Sequence, residues 1–548
     1  MPVIQISLAR LEKYCNNQAN AGKILETLPY LGLDIEDQIG DTISVEYSPN
    51  RPDFSSEAGI ARSLTGLLGI ETGLPKYAFT QSKYSIRVDG PEIKRVRPEI
   101  LGIYAEIEVT EELIKQLINV QEDLHNGVGR RRSKVAIGIH NADVLTPPIR
   151  YYAETNSIFS FVPLGGREKR TINEILSETE QGVAYGKLLS NSYPMLVDSK
   201  GNVLSMPPII NGELTRLKPG ISRLFIDITG TEERAVDAST AIMAAMLSDM
   251  GAKVHTVEVE TGAKKFASPD MTARETRFDL SLVNDTLGFE FSMEDASKAI
   301  AHSRLEIDPG GVAMIPRFRY DIIHPIDLAE EVALGFGIAK IKPIGTKSSL
   351  VGAFNPRLKK QDRLVDLLVG LGLTEIWNLS LTTLDEASLS GSKPLLKIDD
   401  PKSQSFEYLR SEIMTSLLSN LGASTHLEYP QRVFEQATVF RPDSGNVTGV
   451  REDEHVAVAV ADSAANYSMI HSMMDGFFRL ATGTEKSVEL SPIHEKKGAF
   501  ALGRSALISL NGNSIGVIGE VSPEFLERFG IKVPVVGFEI NIESLLKE

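Results

Sequence analysis

The sequence predicts a multidomain α+β protein. The chain is 548 residues long, it carries 42% hydrophobic and 24% charged residues, and short strand-like runs alternate with helical periodicities instead of one pattern dominating. At about 150 residues per domain this length holds three or four domains, which excludes a single small binding module. The composition fits a soluble globular chain with several cores and argues against disorder or a fibre. Lys and Arg total 57 against 73 Asp and Glu, a net charge of -16, so nucleic acid can be met only through local basic patches. The lone cysteine, Cys15, excludes an internal disulfide or a thiolate zinc site and suits a reducing cytoplasm. No apolar run approaches the roughly 20 residues that span a bilayer, and no signal peptide is legible.

The first segment, residues 1–85, shows helical periodicity from Leu8 to Leu33 and then a strand-like Thr42 to Tyr47. Next comes Ser48-Pro-Asn-Arg-Pro-Asp53, whose two prolines predict a rigid loop, with Asp53, Ser55 or Ser56 capping a helix that carries Ile60, Leu64 and Leu67. Residues 86–262 read as α+β, with strands over 104–109, 135–139, 195–197 and 224–228 and a helix over 238–250. Inside lies the densest basic cluster, Arg130, Arg131, Arg132 and Lys134, which reads either as a phosphate-backbone contact or as a solvated loop. Residues 266–343 offer helix, helix, strand and helix, a compact winged-helix-like unit. Residues 344–548 combine helices at 358–371 and 412–421 with strands over 433–440, 456–461, 506–510 and 514–519, predicting a helix-flanked antiparallel sheet.

P-loop, HExxH, GxSxG and dinucleotide fingerprints are all missing. The best carboxylate cluster is Asp321, Asp327, Glu330 and Glu331: the last three share one helix face, and Asp321 ends the preceding strand. Hard oxygens of this kind suit Mg²⁺, and the same spacing also suits a helix N-cap. Leu204 to Asn211 and Phe225 to Thr231 place short polar groups beside apolar strands; these serve either a positioned water or local turn chemistry.

Taken in order, these stretches, with Val135-Ala-Ile-Gly-Ile-His140, Asn355-Pro-Arg357, Leu409-Arg410, Gly503-Arg504 and Gly516 to Glu520, resemble the beta subunit of phenylalanyl-tRNA synthetase in its archaeal and eukaryotic form. The resemblance implies a class II synthetase of two alpha and two beta subunits that joins phenylalanine to tRNA(Phe) with ATP. The synthetic site, with its ATP and phenylalanine, is implied on the alpha subunit, and residues 344–548 become a catalytically silent synthetase-like domain. Residues 537–548 agree, since they contain no arginine to clamp a phosphate, and Arg432-Val-Phe-Glu435 is only loosely similar to the second class II motif. The resemblance also implies Mg²⁺ on Asp321, Asp327, Glu330 and Glu331, and an editing site in 86–262 that hydrolyses tyrosyl-tRNA. In that site Asp227, Thr229 and Asn211 would position the hydroxyl or the water, Leu204 and Pro207 would wall the ring, and His140 would add a polar contact. The competing expectation is a non-enzymatic RNA-binding or scaffold protein that uses the winged-helix-like unit and the basic cluster.

Overall fold

The computed structural model describes residues 2–262, 264–341, 345, 350–390, 393–403, 405–483, 488–495 and 498–546. The chain forms two compact units, Met1–Gly345 and Thr346–Glu548. The expected boundary at 343/344 lies outside the described residues.

In the first unit, Val3–Ser7, Thr42–Glu46 and Asp34–Ile39 make a three-stranded antiparallel sheet. The helical periodicity from Leu8 to Leu33 is divided into Leu8–Tyr14, Ala21–Thr27 and a 3-10 turn, Leu28–Leu31. Asn16 and Asn17 explain the break, because both adopt left-handed φ (53° and 55°), where a right-handed helix cannot continue. Asn20 then caps the second helix. At Asn50 to Asp53 the turn-and-cap reading holds: Arg51 forks onto both oxygens of Asp53 at 2.9 and 2.8 Å, and Ser56 accepts the Gly59 N–H to start helix Glu57–Leu67.

A ten-stranded sheet follows, in the order 210–211, 203–206, 193–197, 149–154, 80–89, 253–261, 99–106, 223–230, 135–141, with 264–268 paired onto 253–261. The expected boundary at residue 85 falls inside strand Thr80–Asp89, and the one at 262 cuts the hairpin that ends at Ser268. Helices Glu111–Asn126 and Glu233–Asp249 cover one face and bury Ile103, Ile137, Ile139, Ile226 and Ile228 beneath them. The other face carries Tyr84, Tyr104, Tyr151, Leu204 and Phe225. Strand 223–230 therefore sends even-numbered residues under the helices and leaves Phe225, Asp227 and Thr229 on the opposite side.

The unit ends in a module of helices Leu280–Leu287, Met293–His302 and Pro325–Phe336 around the strands 274–277, 312–315 and 306–307. The strand of this module, strand-like in sequence from Val312 to Tyr320, stops at Ile315, before Pro316, which has no N–H for the ladder. Two glycines set how closely this module packs. A Cβ on Gly335 would lie 1.8 Å from the Ala299 carbonyl oxygen, and one on Gly66 would lie 2.3 Å from that of His302.

In the second unit seven strands run in the order 374–375, 431–442, 450–461, 535–541, 513–521, 500–510, 489–492, antiparallel except where the first pairs with the second. Alternation along Val450–Ala461 sends Val456, Val458 and Val460 toward Leu364, Leu368, Ile470 and Phe477, and Ala457, Ala459 and Ala461 toward Met414, Leu417 and Leu421. The expected helix-flanked sheet is thus present. Its two central strands are longer than expected, since they zip together through polar residues as far as Pro442 and Val450. Among the described residues no helix is long and apolar enough to cross a membrane.

Phe477 is fully buried, with its ring centroid 6.3 Å from that of Phe538. Phe477→Ala is expected to cost about 3–5 kcal/mol through the cavity it leaves, read as a lower denaturation midpoint.

Candidate functional site

Asp227 occupies the middle of strand Arg223–Gly230, opposite Gly102 on one neighbouring strand and Gly138 on the other. Its Oδ1 lies 2.7 Å from His140 Nε2, and His140 Nδ1 lies 2.8 Å from Thr215 Oγ1. The carboxylate and imidazole are 1% and 0% exposed, so the pair stands almost without water. Gly138 is required by this contact, because a Cβ there would come within 2.4 Å of Asp227 Oδ1 and 2.6 Å of His140 Nε2. No hydrogen bond occupies Asp227 Oδ2 among the described residues, and Asp227 lines a cleft of about 240 Å³.

Pro207, Asn211, Ser205, Arg132, Glu122 and His125 also line this cleft. Ser205 Oγ is buried without a hydrogen-bond partner. His125 Nε2 accepts the Ile137 N–H at 2.8 Å, which places the ring proton on Nδ1, 3.2 Å from Glu122 Oε1. Burial pushes His125 below its ordinary value, so the imidazole is neutral at pH 7. The His125 hydrogen bond and the Arg132 guanidinium hold Glu122 at about 2.

Three expectations are corrected in this region. Leu204 is fully buried among Tyr151, Leu196 and Phe225, where an apolar side chain on the inner face belongs, and does not line the cleft. Thr229 does not reach it either: its Oγ1 and carbonyl accept Arg97 Nε at 2.9 Å and Nη2 at 2.8 Å. Burial without a carboxylate partner pushes Arg97 down to about 10. The third correction concerns the basic cluster, which is not one patch. Arg130, Arg131 and Arg132 take φ of 44°, 55° and 64°, three consecutive left-handed residues that fold the chain back on itself. Arg130 and Arg131 stay exposed. Arg132 turns inward onto Glu122 at 2.9 Å, the Ile209 carbonyl at 3.1 Å and the face of Tyr185 at 4.4 Å, while Lys134 pairs with Glu232.

The acidic cluster is closed by a guanidinium. Arg319 is 2% exposed and bonds both Asp321, at 2.6 Å, and Glu331. Burial opposes the charge on Asp321, yet Arg319 holds its carboxyl down at about 2. Asp327 Oδ2 accepts the N–H groups of Ile323 and His324 at 2.6 and 2.7 Å, so it serves as the helix cap. Glu330 is raised by burial and then by the charges of Glu331 and Asp321, which places the carboxylates near one another. Among the described residues, however, no three metal-ligating side chains converge. In the chain by itself Arg319 takes the space between Asp321 and Glu331, and no ion pair joins it to Asp327 or Glu330 among the described residues.

Comparison with known proteins bears on the whole length. The family model described as the phenylalanyl tRNA synthetase beta chain CLM domain matches residues 341–542, and the tRNA synthetase B5 domain matches 276–338. A phenylalanine–tRNA ligase beta subunit of Archaeoglobus fulgidus is 36% identical across 99% of this chain and 98% of its own. The chain belongs to the phenylalanine–tRNA ligase beta-subunit family. The relative from Methanococcoides burtonii is 33% identical over 99% of this chain and all of its own. The solved N-terminal fragment of the Pyrococcus horikoshii beta subunit covers 61% of this chain at 33% identity with a TM-score of 0.58.

In this beta-subunit chain, the structure joins Asp227, Asn211 and Pro207 as expected, with His140 behind Asp227. It adds Glu122, His125, Arg132 and Ser205. Glu122 and His125 stand three residues apart on one helix, and that spacing was a usable signal; Arg97, which ends Lys94-Arg-Val-Arg97 before a proline, looks like one more solvated cation.

Gly138→Ala is expected to cost about 1–3 kcal/mol by overpacking, seen as a lower unfolding midpoint. Arg319→Met, which leaves two buried carboxylates unpaired, is expected to lower protection of 274–336 in hydrogen exchange by about 3–5 kcal/mol, and adding Asp321→Asn and Glu331→Gln is expected to recover most of it. Because the folded pKa of Asp321 is depressed, its stabilisation is present above about pH 4 and is lost as pH falls toward about 2. A pH series of the same exchange experiment reads this directly.

Proposed function

We propose that this chain is the non-synthetic subunit of a phenylalanine–tRNA ligase, assembled with an alpha subunit as two alpha and two beta chains, and that its cleft hydrolyses mischarged tyrosyl-tRNA. The observation that carries the editing reading is the buried Asp227–His140 pair, which leaves Asp227 Oδ2 without a protein partner beside the cleft. Tyrosine differs from phenylalanine by one hydroxyl, and an apolar synthetic pocket rejects such an addition poorly. A buried carboxylate oxygen reverses the discrimination: tyrosine's O–H donates to it, whereas phenylalanine would leave it unpaired.

In this mechanism His140 holds the carboxylate in place. Asn211 and the unpartnered Ser205 hydroxyl supply the polar contacts that orient the ester and its attacking water. Pro207 and Ile209 wall the ring, and Arg132 fixes the 207–209 segment through its carbonyls. Thr229 acts at one remove, by holding Arg97. The exposed Arg130 and Arg131 are the residues of the basic cluster left for tRNA phosphate. No step runs through magnesium.

Asp227→Ala in the reconstituted complex is expected to slow tyrosyl-tRNA deacylation roughly 10- to 100-fold, the worth of a hydrogen bond to a charged group, while phenylalanine charging is unchanged. A wild-type deacylation rate would move the site elsewhere. The purified chain alone is expected to give no phenylalanine-dependent pyrophosphate exchange; robust exchange would overturn the division of labour.

A further inference from the structure

The second unit contains its own cavity of about 310 Å³, lined by both acidic and basic groups. His455, 5% exposed, lies on strand Val450–Ala461 across from Asn541. Its Nδ1 is 2.8 Å from Glu539 Oε1, and its Nε2 is buried with no hydrogen-bond partner. Glu539 Oε2 accepts the backbone N–H groups of Ile413 and Met414 at 3.0 and 2.8 Å, at the start of helix Met414–Ala423. Burial works against its charge, but the His455 hydrogen bond and these amides hold Glu539 below the usual carboxylate range. With Nδ1 engaged by Glu539, Nε2 is the ring nitrogen left beside the cavity for a ligand.

Glu412 lines the same cavity. Burial, followed by the charge of Glu539, pushes its carboxyl up to about 8, and its Oε1 accepts the Thr415 hydroxyl at 2.6 Å. The opposite sign is also present. Arg451 gives its Nε to Asp453 at 2.9 Å and makes no hydrogen bond through its terminal nitrogens among the described residues, and Arg441 reaches the Ser411 carbonyl at 3.3 Å. Met414 and Phe500 supply apolar wall.

We propose that this cavity binds a free amino acid as a zwitterion, its ammonium donating to Glu412 and His455 Nε2 and its carboxylate bound by Arg441 and Arg451. An ammonium can donate to both the Glu412 carboxyl and the unpartnered Nε2 that line the cavity, and a guanidinium fork suits a carboxylate. The site is separate from the Asp227 cleft and stands whether or not that cleft edits.

The test is calorimetric titration of the full chain with L-alanine, L-leucine and L-phenylalanine, up to about 10 mM. At least one is expected to bind saturably, and its N-acetyl derivative and its decarboxylated amine are each expected to bind at least about tenfold more weakly. Glu412→Gln and Arg451→Gln are expected to weaken binding to the same degree, and Asp227→Asn to leave it unchanged. Arg451 is half exposed, so its variant carries little risk to folding. Absence of binding by every probe, unchanged affinity in Arg451→Gln, or loss of binding in Asp227→Asn would overturn the proposal.

Discussion

A charge taken out of water must find an opposite charge or a full set of hydrogen bonds, and this constraint organises both units. Arg319 unites Asp321 with Glu331, Arg410 meets Glu435 at 2.8 Å, Arg62 meets Asp249 at 2.6 Å, and His140 meets Asp227. Each pairing joins separate elements, so each fixes a register or an angle as well as neutralising a charge. Arg97 is the exception that shows the rule at work: with carbonyls and a hydroxyl in place of a carboxylate, its proton affinity falls.

The same constraint separates two readings of an acidic cluster. From spacing alone, Asp321, Asp327, Glu330 and Glu331 serve equally as ion ligands or as cap and counter-charges. The structure adds Arg319, two residues upstream of Asp321, whose guanidinium neutralises Asp321 and Glu331 while Asp327 accepts two backbone N–H groups at the helix start. The net charge of -16 is therefore distributed as many local bargains and not as one acidic field.

Much of the fold was legible. Alternation predicts the strands around Ile137, Ile226 and Val458, and the cap at Ser56 marks a helix start. The sheet's extent was not legible. Tyr84, Ile86 and Val88 alternate as clearly as any strand, but they straddle the expected boundary, and a boundary drawn by composition cannot sense pairing with residues 149–154 and 253–261. At the site, the likeness that picked out Asp227, Asn211, His140, Thr229 and Leu204 carries no depth: the structure sets Asp227 and Asn211 on the cleft wall and His140 behind Asp227, and leaves Thr229 and Leu204 off it. The turn of three left-handed arginines was invisible, as a run of basic residues looks solvated until one side chain is seen folding beneath its neighbours.

Gly66 and Gly335 have no chemistry to perform, yet each sits where a backbone oxygen from a neighbouring helix end fills the space of a side chain. The seat of the three-helix module is thus written in missing atoms. Invariance at such positions marks a mechanical joint and not a reactive centre, and a map of intolerant sites over this chain would light up a hinge plate as brightly as a catalytic cleft.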